Sequence, residues 1–170
     1  MLENAALLHL PQFFLASEVT SANFSGILIS FLRDNLEQLG EADLIKSNIL
    51  TRLFKLCFMS VNIFPTTNEG VLLPHLNHLI LESLRLGTKA EEPIVYSYLV
   101  RILFRSISGG RFENLYKEIM PILPVLLENL NKMITNARRP YERDIYVELC
   151  LTVPVRLSVL VPHLNYLTRP

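Results

Sequence analysis

The chain has 170 residues, enough for one domain-sized core, with 16 basic and 16 acidic side chains. Half of it is hydrophobic, only 19% is charged, and the mean hydropathy is +0.31, which is oily for a water-soluble domain. A neutral chain gives little support to nucleic-acid binding, which draws on phosphate neutralisation by Lys and Arg. A membrane span needs about 18 consecutive apolar residues, and the best run, Ile119–Leu127, is interrupted by Pro121 and Pro124.

The start, Met1-Leu2-Glu3-Asn4, lacks the basic region of a signal peptide, and the first cation is Arg33. Together these features predict a soluble, intracellular segment that buries its apolar surface against more protein than these residues supply. Cys57 and Cys150 sit in apolar helical patterns and read as reduced, buried thiols rather than a disulfide framework.

Taken in order, the apolar spacing is helical throughout. Helices are expected near 22–39 and 43–62. From about Val71 to Leu86, Leu72, Leu76, Leu79, Ile80 and Leu84 share one side, and His75, His78, Glu82 and Arg85 share another. From Pro93 to Ile107, Val95, Leu99 and Ile102 form the inner stripe, and Ser97, Arg101, Arg105 and Ser108 the wet one. From Arg111 to Met133, Leu115, Ile119, Ile122, Leu126 and Leu130 recur at helical spacing. Two further helices are expected near 141–152 and 154–168, the second opened by Pro154. Gly40 and Gly87 read as glycines closing helices in the left-handed conformation, Gly109-Gly110 as a third stop, and Pro65–Gly70 and Ile134–Pro140 as the longer loops. No stretch alternates with the period of a strand.

An internal repeat runs through this pattern. Leu73-Pro74-His75-Leu76-Asn77-His78-Leu79 resembles Val161-Pro162-His163-Leu164-Asn165-Tyr166-Leu167, with a looser copy at Met120-Pro121-Ile122-Leu123-Pro124-Val125-Leu126. The shared prolines lie 47 and 41 residues apart, the period of HEAT and armadillo helix pairs, about 40–47 residues. The expected fold is therefore all-α: an α-solenoid of HEAT-like antiparallel helix pairs, cut from a longer superhelical array, in which each pair covers its neighbour's apolar face. The whole of 1–170 is read as a single such segment, with pairs at about 22–62, 71–107 and 111–152 and a further unit starting at 154–170.

Three passages, LLPHLNHLILESLRL (72–86), YLVRILFRSISGGRFENLYKEIMPILPVLLENLN (98–131) and YVELCLTVPVRLSVLVPHLNYL (146–167), resemble the helical-repeat region of the transformation/transcription-domain-associated protein family. The resemblance spans Val71–Pro170. It implies a giant scaffold subunit of SAGA-type histone acetyltransferase complexes, nuclear, whose helical arms receive transcription activators and hold other subunits. The family is related to the phosphatidylinositol-3-kinase-like kinases through a degenerate, inactive kinase domain, and nothing of that region is present here. Neighbouring helical repeats of the parent chain are expected as further partners, with no cofactor, no direct nucleic acid and no membrane. The residues alone also leave open a HEAT-type adaptor of another class, such as a nuclear transport or phosphatase scaffold, and a small helical enzyme or ligand-binding domain.

No catalytic constellation emerges from the residues, and no metal or cofactor site is expected. His75 and His78 lie three apart on a helix, but a structural zinc site needs about four ligands. Gly109-Gly110-Arg111 precedes a helix yet follows another helix, not a strand, and lacks the phosphate-loop pattern. No G-x-S-x-G elbow occurs, and Cys150 lies in an apolar setting that raises a thiol pKa. One partner-binding cluster is singled out: Arg101, Arg105 and Arg111, expected near one helix end and suited to acidic protein segments.

Overall fold

A computed structural model describes residues 9–107 and 112–160, with side chains described as far as residue 150. All of its regular structure is helical: α1 (His9–Leu15), α2 (Glu18–Asp34), the short 3-10 helix η1 (Leu36–Gly40), α3 (Leu44–Ile63), α4 (Pro65–Gly87), α5 (Ile94–Ile107), α6 (Glu113–Ile119), a second 3-10 turn η2 (Met120–Ile122), α7 (Leu123–Asn136) and α8 (Pro140–Leu160). No strand occurs among the described residues.

The helices form two layers. In one, α2 packs on α4, and α4 on α6 and α7; in the other, α3 packs on α5, and α5 on α8. Successive helices α2–α3, α4–α5 and α7–α8 also contact each other across the layers. This is the stacked-pair geometry of a solenoid, in which no pair has a core of its own. The shared core runs between the layers through Leu32, Leu53, Phe54, Phe58, Leu76, Ile80, Leu103, Leu115 and Leu126, all at most 1% exposed.

The predicted inner stripe of α4 is buried as expected, from Leu72 to Leu84. In α5 the buried side is turned from the predicted one: Tyr96, Ser97, Leu99, Val100, Leu103, Phe104 and Ile107 are covered, whereas Val95 and Ile102 of the expected stripe are only partly buried. Ser97, read as solvent-facing, is 3% exposed because α8 lies over it.

Several prolines and glycines behave differently from their sequence signals. Pro65–Gly70 is not a loop: Pro65 starts α4, where its missing N–H costs nothing, and Asn68 anchors the first turn. The helix expected over 111–133 is split by η2, because Pro121 and Pro124 remove two amide donors within four residues. Pro74, 47 residues earlier, occupies the matching place in α4, where a single proline is carried inside an unbroken helix. The break expected at Pro154 is absent, since α8 runs on to Leu160. The loop expected over 134–140 is shorter, with α7 lasting to Asn136.

Gly40 and Gly87 do not adopt the left-handed conformation, as no glycine among the described residues has positive φ. Space selects them instead. A Cβ on Gly40 would stand 2.6 Å from Tyr96 Cε2 and 2.7 Å from Ala90 Cβ, and one on Gly87 3.1 Å from Met133 Cε. Around Gly40 the Tyr96 hydroxyl lies 3.0 Å from the carbonyl oxygens of Leu36 and Glu37 and accepts the Gly40 N–H at 3.2 Å. It thereby closes η1 and ties the α4–α5 pair to the pair before it.

A buried polar seam crosses α2, α3 and α4. Asn68 Nδ2 donates to Ser21 Oγ at 2.9 Å and to the Ser60 carbonyl at 2.8 Å. Ser25 and Ser60 share a hydrogen bond at 3.1 Å. All four side chains are at most 2% exposed.

Candidate partner-binding surface

In the layer of α3, α5 and α8, the first two helices carry only positive charge, while α8 brings Glu142, Asp144 and Glu148 beside Arg143. α3 contains Lys46, Arg52 and Lys55, α5 contains Arg101 and Arg105, and neither helix has an acidic residue. The layer of α2, α4, α6 and α7 holds an excess of acid, including Glu69, Glu82, Glu113, Glu118 and Glu128. The sums cancel over the chain, so total composition hides a molecule with a basic face and an acidic face. A helix-by-helix charge count would have exposed it.

Arg101 and Arg105 do come together, but on a carboxylate of their own chain. One α8 side chain, Glu148, receives both: its Oε1 lies 3.2 Å from Arg101 Nε and 3.1 Å from Arg105 Nη2. The Arg101 contact has ion-pair distance without hydrogen-bond alignment, whereas Arg105 donates a true hydrogen bond. Two guanidinium groups thus converge on one carboxylate at the α5–α8 ridge. The Arg105 side chain remains 61% exposed and Arg101 26%. Arg111, the third member of the predicted cluster, lies outside the described residues, as does the Gly109-Gly110 turn. Beneath the ridge burial pushes the Tyr146 phenol up, and the Ser97 side chain beside it partly offsets the rise.

Other polar groups serve the fold. Arg33 Nη1 lies 3.3 Å from His75 Nδ1, a contact that requires an unprotonated Nδ1. Burial, then the Arg33 and His78 charges, lowers the His75 pKa. Among the described residues no group of three or more His, Cys, Asp or Glu side chains is placed to hold a metal ion. The Cys57 thiol, 3% exposed, is pushed up to about 12 by burial, and Cys150 is raised for the same reason. Glu69 of α4 accepts the Asn114 N–H at 3.2 Å and so caps α6 from a neighbouring helix. No described helix is long and apolar enough to cross a membrane.

One groove of about 530 Å³ opens between the α4–α5 turn and the α7–α8 turn. Met133, Pro93 and Tyr146 line it. Glu91 and Glu92 stand on one lip, and Arg138 and Arg139 on the other.

Two layers of paired helices with a continuous core, open outer ridges and a proline recurring at the same place in successive units define a HEAT-type repeat segment. All of residues 1–170 match the family model described as the Tra1 HEAT repeat central region, and the chain belongs to that family. It is 65% identical, over its full length, to the Saccharomyces cerevisiae protein named SAGA complex/NuA4 acetyltransferase complex subunit TRA1. It is 50% identical over its full length to the Schizosaccharomyces pombe subunit of the same description. Identity is 45% over 99% of the chain to the human Transformation/transcription domain-associated protein. The chain spans only 4–5% of the length of these relatives.

Proposed function

We propose that this chain is a non-catalytic scaffold segment of a transcription coactivator subunit in nuclear histone acetyltransferase complexes. The observation that carries the reading is end-to-end similarity to subunits of such complexes, at 65% identity with the budding-yeast protein. The fold supports it: successive helix pairs bury one another, and the outer faces of α3, α5 and α8 remain open to companions.

The finer part of the proposal concerns what those faces hold. Other subunits of the complex and neighbouring repeats of the parent chain are one class of companion; acidic segments of transcription activators are the other. The α3–α5 pair suits acidic segments, because Arg52, Lys55 and Arg105 are exposed cations on adjoining helices. Arg101 contributes less, being more covered.

The test uses the full-length protein in its assembled complex, carrying Arg52→Glu, Lys55→Glu and Arg105→Glu together. Binding of a fluorescent acidic activation-domain peptide is measured by anisotropy. Affinity is expected to fall on the order of tenfold, since several cations steer and hold an anionic segment, with subunit composition unchanged. Unaltered affinity would refute the activator part and leave the scaffold part standing. Loss of a subunit would assign the ridge to that subunit instead. Failure of the parent protein to co-purify with any acetyltransferase would refute the scaffold reading.

A further inference from the structure

At the first junction between successive helix pairs the chain fills its own space: Ala90 and Tyr96 pack over Gly40, and the Glu92 N–H donates to the Gly40 carbonyl at 3.4 Å. At the second, the pairs are packed together only beneath the surface, with Met133 Cε so near Gly87 that a Cβ there would stand 3.1 Å from it. Above that floor a groove of about 530 Å³ stays open between the α4–α5 turn and the α7–α8 turn, a volume within the range of ligand sites, about 300–1,000 Å³. Its lips are sorted by charge, Glu91 and Glu92 on the first turn and Arg138 and Arg139 on the second. Across the opening they do not pair: none of the four takes part in an ion pair among the described residues. Lys132, also on the wall, is taken by Glu128 at 2.8 Å.

We propose that this groove seats an extended segment of another protein in which a basic and an acidic residue are sequence neighbours, the basic side chain reaching Glu91 and Glu92 and the acidic one Arg138 and Arg139. The pattern follows from the lips. Successive side chains of an extended chain point to opposite sides, so neighbours of opposite sign reach opposite walls. A purely acidic or purely basic segment would meet a like charge on one lip. Pro93, Met133 and Ala137 give the backbone an apolar base. Asn129 stands beside them; its Nδ2 is committed to the Val125 carbonyl at 2.8 Å, and its Oδ1 is left to accept a backbone N–H. Arg138 leads on its lip, because Arg139 already donates to the Tyr141 hydroxyl at 2.5 Å. That bond chiefly raises the Arg139 guanidinium, with Glu142 and then Glu92, from across the groove, adding to it. The two lips therefore share one field without touching. Exposed ion pairs are individually worth little; here they select the partner and its direction, while the base supplies contact area. The inference rests on the scaffold reading, under which open surfaces of the stack hold companions.

The experiment uses the full-length protein in its purified complex. A photo-reactive benzophenone amino acid replaces Asn136 on the groove wall or, as a control, the exposed Ser30 of α2. Cross-linked peptides are sequenced by mass spectrometry. The probe at position 136 is expected to capture one segment of another subunit, carrying Lys or Arg next to Asp or Glu, and the control probe is expected to miss it. Exchanging the lips, with Glu91→Arg, Glu92→Arg, Arg138→Glu and Arg139→Glu together, keeps the net charge and reverses the polarity that the segment meets. The cross-link is expected to fall about tenfold, and to recover when the two charges of the captured segment are exchanged as well. Arg138→Glu alone, at an exposed position, is expected to give about a threefold loss, and decides the matter if the full exchange alters hydrogen exchange in α5 or α7. No cross-link, cross-links confined to the parent chain, capture of a segment without the neighbouring charges, or indifference to the reversals would each overturn the proposal. Failure of the scaffold reading is seen separately, as a purified parent protein that carries no acetyltransferase subunit.

Discussion

Tyr96 joins two helix pairs through a single hydroxyl, so its removal is informative. Tyr96→Phe keeps the ring and leaves the Gly40 N–H and the Leu36 and Glu37 carbonyls without that partner. A cost of about 1–3 kcal/mol is expected for stranding buried polar groups, read as faster hydrogen exchange across η1 and the start of α5. Gly40→Ala should destabilise the same junction by about 1–3 kcal/mol through overpacking against Tyr96 and Ala90. His75 provides a pH response. Its folded pKa is depressed below 6.5, so its neutral form favours the fold above that value, and stability is lost as pH falls through the folded pKa. Melting temperature should therefore drop between pH 7 and pH 5.5, and His75→Gln should flatten the decline. Cys57, with its thiol at about 12, should resist maleimide at pH 7.5 for as long as α3 stays folded, and Cys150 should label first.

At the scale of helices, the α6 cap supplied by Glu69 is the feature most open to a single change. Glu69→Ala removes the acceptor of the Asn114 N–H and is expected to cost about 1 kcal/mol, seen as accelerated exchange at the start of α6 with α4 unaffected. Helix periodicity made most elements legible, because burial in a two-layer stack selects one face of each helix, and the Leu72-to-Leu84 stripe obeys that rule. Punctuation was less legible, since Pro and Gly are ambiguous without their neighbours. Pro65 looks the same whether it opens a helix or interrupts a loop, and Gly40 looks the same whether chosen for its backbone freedom or for the ring pressed against it. The helix expected over 111–133 was drawn straight through two prolines; a lone Pro74 is carried inside α4, but Pro121 with Pro124 three residues on is not.

For the whole molecule, the misread α5 face has the same origin. Ser97, Arg101 and Arg105 make a polar stripe, and a helix seen alone points such a stripe at water. Here α8 folds over Ser97 and most of Arg101, while Arg105 stays 61% exposed and meets Glu148 at its edge, a partner found only once the chain has folded back. Glu148→Gln should loosen α8 from α5 by at most about 1 kcal/mol, because the ridge is partly exposed and screened. The effect should shrink further in high salt, as hydrogen exchange along 144–150 would report. The basic cluster was thus visible in sequence as residue types, while its tie to Glu148 and the opposed charges of the two layers were not.

The Ser21–Ser25–Ser60–Asn68 seam carries a last consequence. An apolar interface between helices can slide by a turn and still be satisfied, whereas this one has polar groups that fit only one alignment. Helix pairs in this stack are therefore not interchangeable cassettes. A unit transplanted from elsewhere in a solenoid would bring grease to a site that demands matching hydroxyls and an amide, and would seat poorly however well its own helices form.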